Sequence, residues 1–458
     1  LKNLGYNVNS SALEIIKECE AWYSNKLVED FHKRKNLNDV EYELARLNFA
    51  KRCCADDANL CEIVSVAPDK KSDSTKFIDG LFEKNSFMVQ YRKQLEKTSA
   101  MGTVGAYIML NDATYVKNVD GTTSVKGGTP EIVYVDPDCI VPLTVKNDVI
   151  SECAFCATNT VKGKQESTLV IFTLEEGNYK ADTVCFDASG KKIKESSIQL
   201  GGVKPFSIMT NAEVNNLDNM AGYGLPKIYN SIAFFKAVDL CYNLLHGDLS
   251  KGDKLVFINE LLACLHEGEN GKPKLTMQQK EIFILLGEKL PQEKSVIQEY
   301  NPEIRIEDIT KAFELVLSLL SMSFGYGTKK YSFENGQIKT ATEYIGERQD
   351  AMHELNKQRK NAKDYITDIL HAAMWFSNQF LGTGYNLEEV LNVEFDDSYI
   401  EDRQTKLESM RADAVTFQDI PWLTFMYIKT KYNLSDDAAE KYINEGKMRE
   451  EPNDDSDD

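Results

Sequence analysis

The sequence specifies an α+β fold, and three observations lead there. Strand-like apolar runs with turn signals are concentrated in residues 101–210. The segments on either side carry apolar residues at helical spacing. From Thr342 to about Phe380 there is no proline and one glycine, Gly346, which predicts a single helix of roughly 40 residues, far above the globular mean.

Taken in order, residues 1–225 open with helices. Ser11 and Glu14 have capping-box spacing, since each side chain can reach the other's backbone N–H. Ile15, Ile16, Cys19, Trp22 and Tyr23 follow on one helix. A second is expected from Asp39 to Asp57, with Tyr42, Leu44, Leu47 and Phe49 as its apolar positions. Asn85 is expected to cap a third, carrying Phe87, Met88, Tyr91 and Leu95. Tyr107–Leu110, Glu131–Val135 and Leu169–Thr173 then read as strands. Turns at Asp120-Gly121, Gly127–Pro130 and Ser189-Gly190 make them an antiparallel meander.

Pro226 suits the first position of a helix over 226–250. Its apolar residues include Ile228, Ile232, Phe235, Val238 and Tyr242, while Lys236, Asp239, Asn243 and His246 share one side of its second half. A small mixed segment, 251–307, opens with the strand Leu255–Ile258 and is expected to be helical from Thr276 to Lys289. The next helix, Asp308–Phe324 in the segment 308–325, is apolar almost all round: Phe313, Leu315, Val316, Leu317, Leu319, Leu320 and Met322. Such a helix must be covered on several sides. Both helices should be roughly 25–37 Å long. A glycine-rich loop, 326–341, leads to the long helix and a return strand near Val393–Phe395 within 342–395. Residues 396–448 are again helical, and the acidic tail 449–458 is expected to be disordered.

Charge and motif content exclude several function classes. The net charge is −19, and six acidic residues crowd the last nine positions. A protein that grips phosphates needs a basic face, so sequence-specific DNA binding is not expected. The loose passage of DNA is compatible with this charge, because like charge keeps a polyanion from adhering to a wall. No apolar run is long enough to span a bilayer, and no signal-peptide core follows Leu1–Tyr6. The ten cysteines are therefore expected as reduced thiols. Cys153 and Cys156 form a C-x-x-C in a strand-like run, where residues three apart face opposite sides, so no metal site is expected from them. Gly268–Lys272 and Gly325–Lys329 lack phosphate-loop spacing. The five histidines are scattered without a zinc motif, and no G-x-S-x-G elbow is present. Neither a catalytic residue nor a cofactor is expected.

The order helix, small insert, apolar helix, glycine-rich loop, very long helix resembles that of the portal proteins of tailed bacteriophages, of the siphophage type. Several segments are similar as well: Gly222–Ile232, Phe235–Tyr242, Asn301–Arg305, Phe324–Phe333, and Lys339-Thr-Ala-Thr-Glu343, with Leu47–Lys51 and Gly102–Tyr107 upstream. The likeness covers most of residues 10–385 by order and pattern, and the C-terminal part only in being helical.

The resemblance implies a portal-like architecture. Residues 1–225 and the long helix would form a wing, 226–250 and 308–325 a two-helix stem, 251–307 a clip, 326–341 a tunnel loop and 396–448 a crown. It implies a ring of usually twelve copies at one capsid vertex of the virion, assembled in the host cytoplasm, through which double-stranded DNA is packaged and ejected. Lys329, Lys330, Tyr331 and Lys339 would face the DNA, and Phe235, Val238, Phe313, Leu317 and Leu320 would serve stem oligomerisation. Implied partners are the terminase large subunit, a head-completion or adaptor protein, and the major capsid and scaffolding proteins, with no membrane. The rival readings are another phage head or connector protein, a cytosolic enzyme and a nucleic-acid adaptor.

Overall fold

The computed structural model describes residues 1, 5–36, 38–68, 72–117, 123–161, 163–251, 255–259, 283–286, 297–300, 303–328, 330–331, 341–396, 403–417, 419–432, 434 and 438–444. Two units emerge: Leu1–Cys61 with Val66–Asn392, and Glu62–Ser65 with Val393–Asp458. The fold is α+β.

In the first unit, α1 (Ser10–Tyr23) buries Ala12, Ile16, Cys19 and Trp22, the one-face spacing of an amphipathic helix. Its cap is Asn9 rather than Ser11: the Asn9 carboxamide oxygen accepts from the Ala12 N–H at 3.1 Å. After the single turn α2 (Glu29–His32), β1 (Lys33–Lys35) pairs antiparallel with β2 (Glu41–Glu43). The helix expected over Asp39–Asp57 is therefore shortened to α3 (Phe49–Asn59). Residues 45–47 are captured by a distant helix, as described below, and Asn48 adopts a left-handed conformation at φ 54° that interrupts the helical path.

β3 (Ile63–Pro68), whose first three residues belong to the second unit, is one strand of a two-stranded sheet. Back in the first unit, α4 (Asp73–Lys84) precedes α5 (Phe87–Met101). Asn85 closes α4 rather than opening α5: its Nδ2 donates to the Leu81 carbonyl at 2.7 Å and its Oδ1 accepts from Ile132 N–H at 2.9 Å. α5 ends at Gly102, φ +83°.

The strands after α5 are β4 (Thr103–Asn111), β5 (Thr114–Lys117), β6 (Thr123–Lys126), β7 (Thr129–Val135), β8 (Ile140–Lys146), β9 (Val149–Val161), β10 (Lys164–Glu175), β11 (Asn178–Asp187), β12 (Lys192–Gln199) and β13 (Phe206–Thr210). β8 to β12 form an antiparallel meander in sequence order. Of the three runs expected to make one meander only Leu169–Thr173 lies in it, because β4 and β7, which hold Tyr107–Leu110 and Glu131–Val135, pair with each other in a second antiparallel sheet completed by β13. Tyr107, Phe155, Phe172 and Phe206 meet at centroid distances of 5.3–5.9 Å in the aromatic core. Cys153 is buried in this core, while Cys156 lies against the apolar cluster of Val141, Ala154, Leu169 and Ile171, so the two thiols face opposite sides of the sheet.

α6 (Lys227–Lys251) leads to an insert in which β14 (Leu255–Asn259) pairs parallel with β15 (Phe283–Leu286) and antiparallel with β16 (Ile297–Tyr300). Phe283–Leu286 thus corrects part of the helix expected over Thr276–Lys289; the neighbouring positions of that span lie outside the described residues. An apolar run of this length is compatible with strand or helix by periodicity alone, and pairing with β14 decides it. α7 (Ile306–Ser323) returns alongside α6. α8 (Ala341–Phe376) covers 36 residues and ends in a π turn, Ser377–Leu381, stopped by Gly382 at φ 68°. It buries Tyr365, Ile366, Ile369, Leu370 and Met374.

The second unit completes its ladder with β17 (Leu391–Phe395): Asp396 N–H reaches the Glu62 carbonyl at 2.8 Å and Ser65 Oγ donates to Glu394 at 2.9 Å. α9 (Arg403–Thr416), α10 (Pro421–Tyr432) and a turn of helix at 438–444 follow. Ala414, Phe425 and Ala439 are buried there, whereas Trp422 is exposed and stacks on Phe425 at 5.2 Å. The acidic tail lies outside the described residues.

Candidate functional site: the helix pair and the root of the glycine-rich loop

α6 and α7 run antiparallel. Ser231 Oγ and Ser323 Oγ meet at 3.0 Å at one end of the pair, and Arg305 grips Asp248 with two hydrogen bonds of 3.0 and 2.8 Å at the other. The residues expected to join neighbouring copies mostly lie inside the chain: Phe235, Val238, Leu317 and Leu320 are buried, and Phe313 is half-buried. The exposed apolar residues are others. On α7, Ala312, Leu315, Leu319 and Met322 line one face at spacings of three and four, with Leu315 62% and Met322 56% exposed. On α6, Ala233, Leu240 and Leu244 form a second exposed stripe, with Leu249 beyond it. Scattered exposed leucines are ordinary; two aligned stripes on adjacent helices are not.

Polar side chains on α6 fix the pair to the N-terminal segment. Asp239 accepts from Leu47 N–H at 2.9 Å and faces His32 Nε2 at 3.2 Å, with both side chains buried. His32 Nδ1 accepts from Val28 N–H at 3.1 Å, so Nε2 carries the proton and donates to Asp239. Asn243 brackets Ala45, accepting from its N–H at 2.9 Å and donating to its carbonyl at 2.8 Å. These are two of the four residues aligned on one side of this helix in the sequence; what that pattern withheld was the partner, some 190–200 residues away.

The loop begins as a docked structure. Gly325 and Gly327, at φ 79° and 70°, turn the chain back over α3. Tyr326 donates to Asp57 Oδ1 at 3.0 Å, the same oxygen that holds Lys227 Nζ at 3.0 Å, and Glu213 approaches Lys227 at 3.4 Å. Tyr331 donates to Asp56 Oδ2 at 3.2 Å, and Asp56 also pairs with Arg52 at 3.1 Å. Burial, then the Asp57 charge, pushes the Tyr326 phenol well above its ordinary range. Burial first, then neighbouring Cys53, raises Tyr331 likewise. Both remain hydroxyl donors. Lys330 is half-buried with its ammonium 5.6 Å from the Tyr326 ring centre. Of the four residues expected to face DNA, Tyr331 thus serves as an anchor of the loop root, and Lys329 and Lys339 lie outside the described residues. Asp56, Asp57 and Lys227 were not singled out from the sequence, because a lone Asp-Asp pair in an acidic chain carries no local signal.

Among the described residues, no three His, Cys, Asp or Glu side chains converge as a metal site, and no helix is long and apolar enough to cross a membrane. Burial pushes the thiols of Cys53 and Cys61 up to about 12, and that of Cys153 further, which makes them unreactive. No family model matches the chain, and no curated protein sequence matches it.

Proposed function

We propose that this chain is a subunit of a ring-shaped channel, a portal protein of a tailed bacteriophage, and that it acts structurally rather than as an enzyme. The observation that carries the proposal is the pair of uncovered apolar stripes on α6 and α7, centred on Leu240 and Leu244 and on Leu315, Leu319 and Met322. Two different stripes on one subunit suit a heterologous contact, in which one copy's α7 meets the next copy's α6; such contacts close into a ring when the rotation allows it. The wider order of elements agrees: an antiparallel helix pair around a small sheet insert, a glycine-turned loop rooted on α3, and a 36-residue helix after it.

In this reading α6 and α7 are the stem and the insert between them is the clip. The clip docks the terminase motor during filling and a head-completion or adaptor protein afterwards, while the wing meets the major capsid and scaffolding proteins. The negative chain charge, multiplied by about twelve copies as the resemblance implies, lets DNA slide where acidic side chains face the bore. Lys329, Lys330 and Lys339 add weak phosphate contacts from the loop, which Tyr326 and Tyr331 fasten at its base. The test is the mass of the native particle together with electron micrographs of the purified chain. Rings with a central hole are expected; a lone molecule at all concentrations would overturn the proposal.

A further inference from the structure

The start of α3 is a positive helix end without a cap. The helix has no side-chain cap, since Asn48 makes none, and no acidic residue occupies its first turn, which instead carries Lys51 and Arg52. Lys51 is engaged by Glu96 and Arg52 by Asp56, yet the free N–H groups of the first turn keep the positive end of the helix dipole. Helix starts of this kind attract anions.

A pocket opens at this point, lined among others by Trp22, Arg46, Asn48, Phe49, Ala50 and Asp239. Three of these side chains leave buried polar atoms without a partner: Trp22 Nε1, Arg46 Nη1 and Asn48 Oδ1. Trp22 is only 6% exposed and its ring is wedged against His32 at 5.3 Å and Phe235 at 6.2 Å, so its N–H cannot turn to solvent. A buried donor with no acceptor is costly, because it has given up water and gained nothing in return. The Asn48 amide, turned over, adds a third donor to the two fixed ones. The one acidic group on the wall, Asp239, has Leu47 N–H on one oxygen and His32 on the other.

We infer that this pocket is a binding site for one small inorganic anion of halide size, held by Trp22 Nε1, Arg46 Nη1 and the first-turn N–H groups of α3. The cavity amounts to about 10 Å³. Organic ligands of drug size need roughly 300–1,000 Å³, so the occupant is small. The bound anion caps α3, whose other end carries the Asp56 and Asp57 carboxylates that fasten the loop root. This inference does not depend on the portal reading.

The experiment compares thermal unfolding of the full chain in chloride and in gluconate at fixed ionic strength, and collects diffraction data from crystals grown in bromide. The expected result is a saturable rise of Tm with chloride relative to gluconate, and an anomalous bromine peak within hydrogen-bonding distance of Trp22 Nε1. Trp22→Phe, which keeps the ring packing and removes the N–H, should flatten the chloride dependence, as should Arg46→Met. Superimposable chloride and gluconate curves for the unmodified chain, or a water with no bromine signal at the site, would overturn the assignment even if both variants fail to fold.

Discussion

The aromatic core between the two sheets and the α6–α7 pair are both rich in apolar side chains, but only the first closes on itself. Phe155, Phe172 and Phe206 are each 2% exposed or less, and every face they present is met by the same chain. α7 buries Leu317 and Leu320 as completely, yet turns Leu315 and Met322 outward at 62% and 56% exposure. At about 25 cal/mol per Å² of apolar surface, the core realises its stabilisation on folding, whereas the stripes keep theirs in reserve for association. The two regions therefore answer differently to substitution.

The largest effect belongs to the core. Phe155→Ala should cost about 3–5 kcal/mol in chemical denaturation, since the cavity left among Tyr107, Phe172 and Phe206 cannot collapse between two sheets. A loss under about 1 kcal/mol would mean that this core is loosely packed.

An intermediate effect is expected where the helix pair meets α3. Tyr326→Phe removes a buried hydroxyl from Asp57 and should cost about 1–2 kcal/mol near neutral pH. Because the folded phenol is raised above its ordinary value near pH 10, its contribution is full below that pH and is lost as pH rises through the raised value. Unmodified protein should therefore lose stability above about pH 10, by up to roughly 1.4 kcal/mol per pH unit for this group, and the variant should lose less. Equal alkaline slopes in pH-dependent melts would show that Tyr326 is not the group responsible.

The smallest effect on stability should come from the outer face. Leu315→Glu combined with Leu319→Glu should change the unfolding free energy of the dissociated chain by no more than about 0.5 kcal/mol per site. The same pair should abolish assembly in light scattering or electron micrographs. Assembly that survives both glutamates would move the subunit contact elsewhere.

Local pattern carried far in some parts of the chain and failed in others for identifiable reasons. The boundaries of α6 and α7 and the opposite facing of Cys153 and Cys156 follow from periodicity, which is a property of neighbours in sequence. The break of the helix expected over Asp39–Asp57 does not, because it depends on Asp239 and Asn243 taking the backbone of Leu47 and Ala45. Asn85 could serve as a cap in either direction, and only its bond to Ile132 N–H decides which. At the candidate site, the apolar character of α7 was readable but its sidedness was not. A helix apolar all round gives no hint of which leucines its own chain will cover. Tyr331 was legible as part of the loop and not as its anchor, since Asp56 lies 275 residues away.

One contact in the fold sets how a pull on α6 would be borne. A Cβ on Gly102 would come within 2.2 Å of the Gly224 carbonyl oxygen, and one on Gly224 equally close to Gly102 O. Gly224 N–H is bonded to Thr103 Oγ1 at 2.8 Å, and Asn211 N–H to Gly102 O at 2.8 Å. Backbone lies directly against backbone just before α6 begins, held by one backbone–backbone hydrogen bond and one from the short Thr103 side chain. A tension applied along that helix passes directly into β4 and β13 as shear on short, stiff bonds, so this seam is where the molecule can carry mechanical load without stretching.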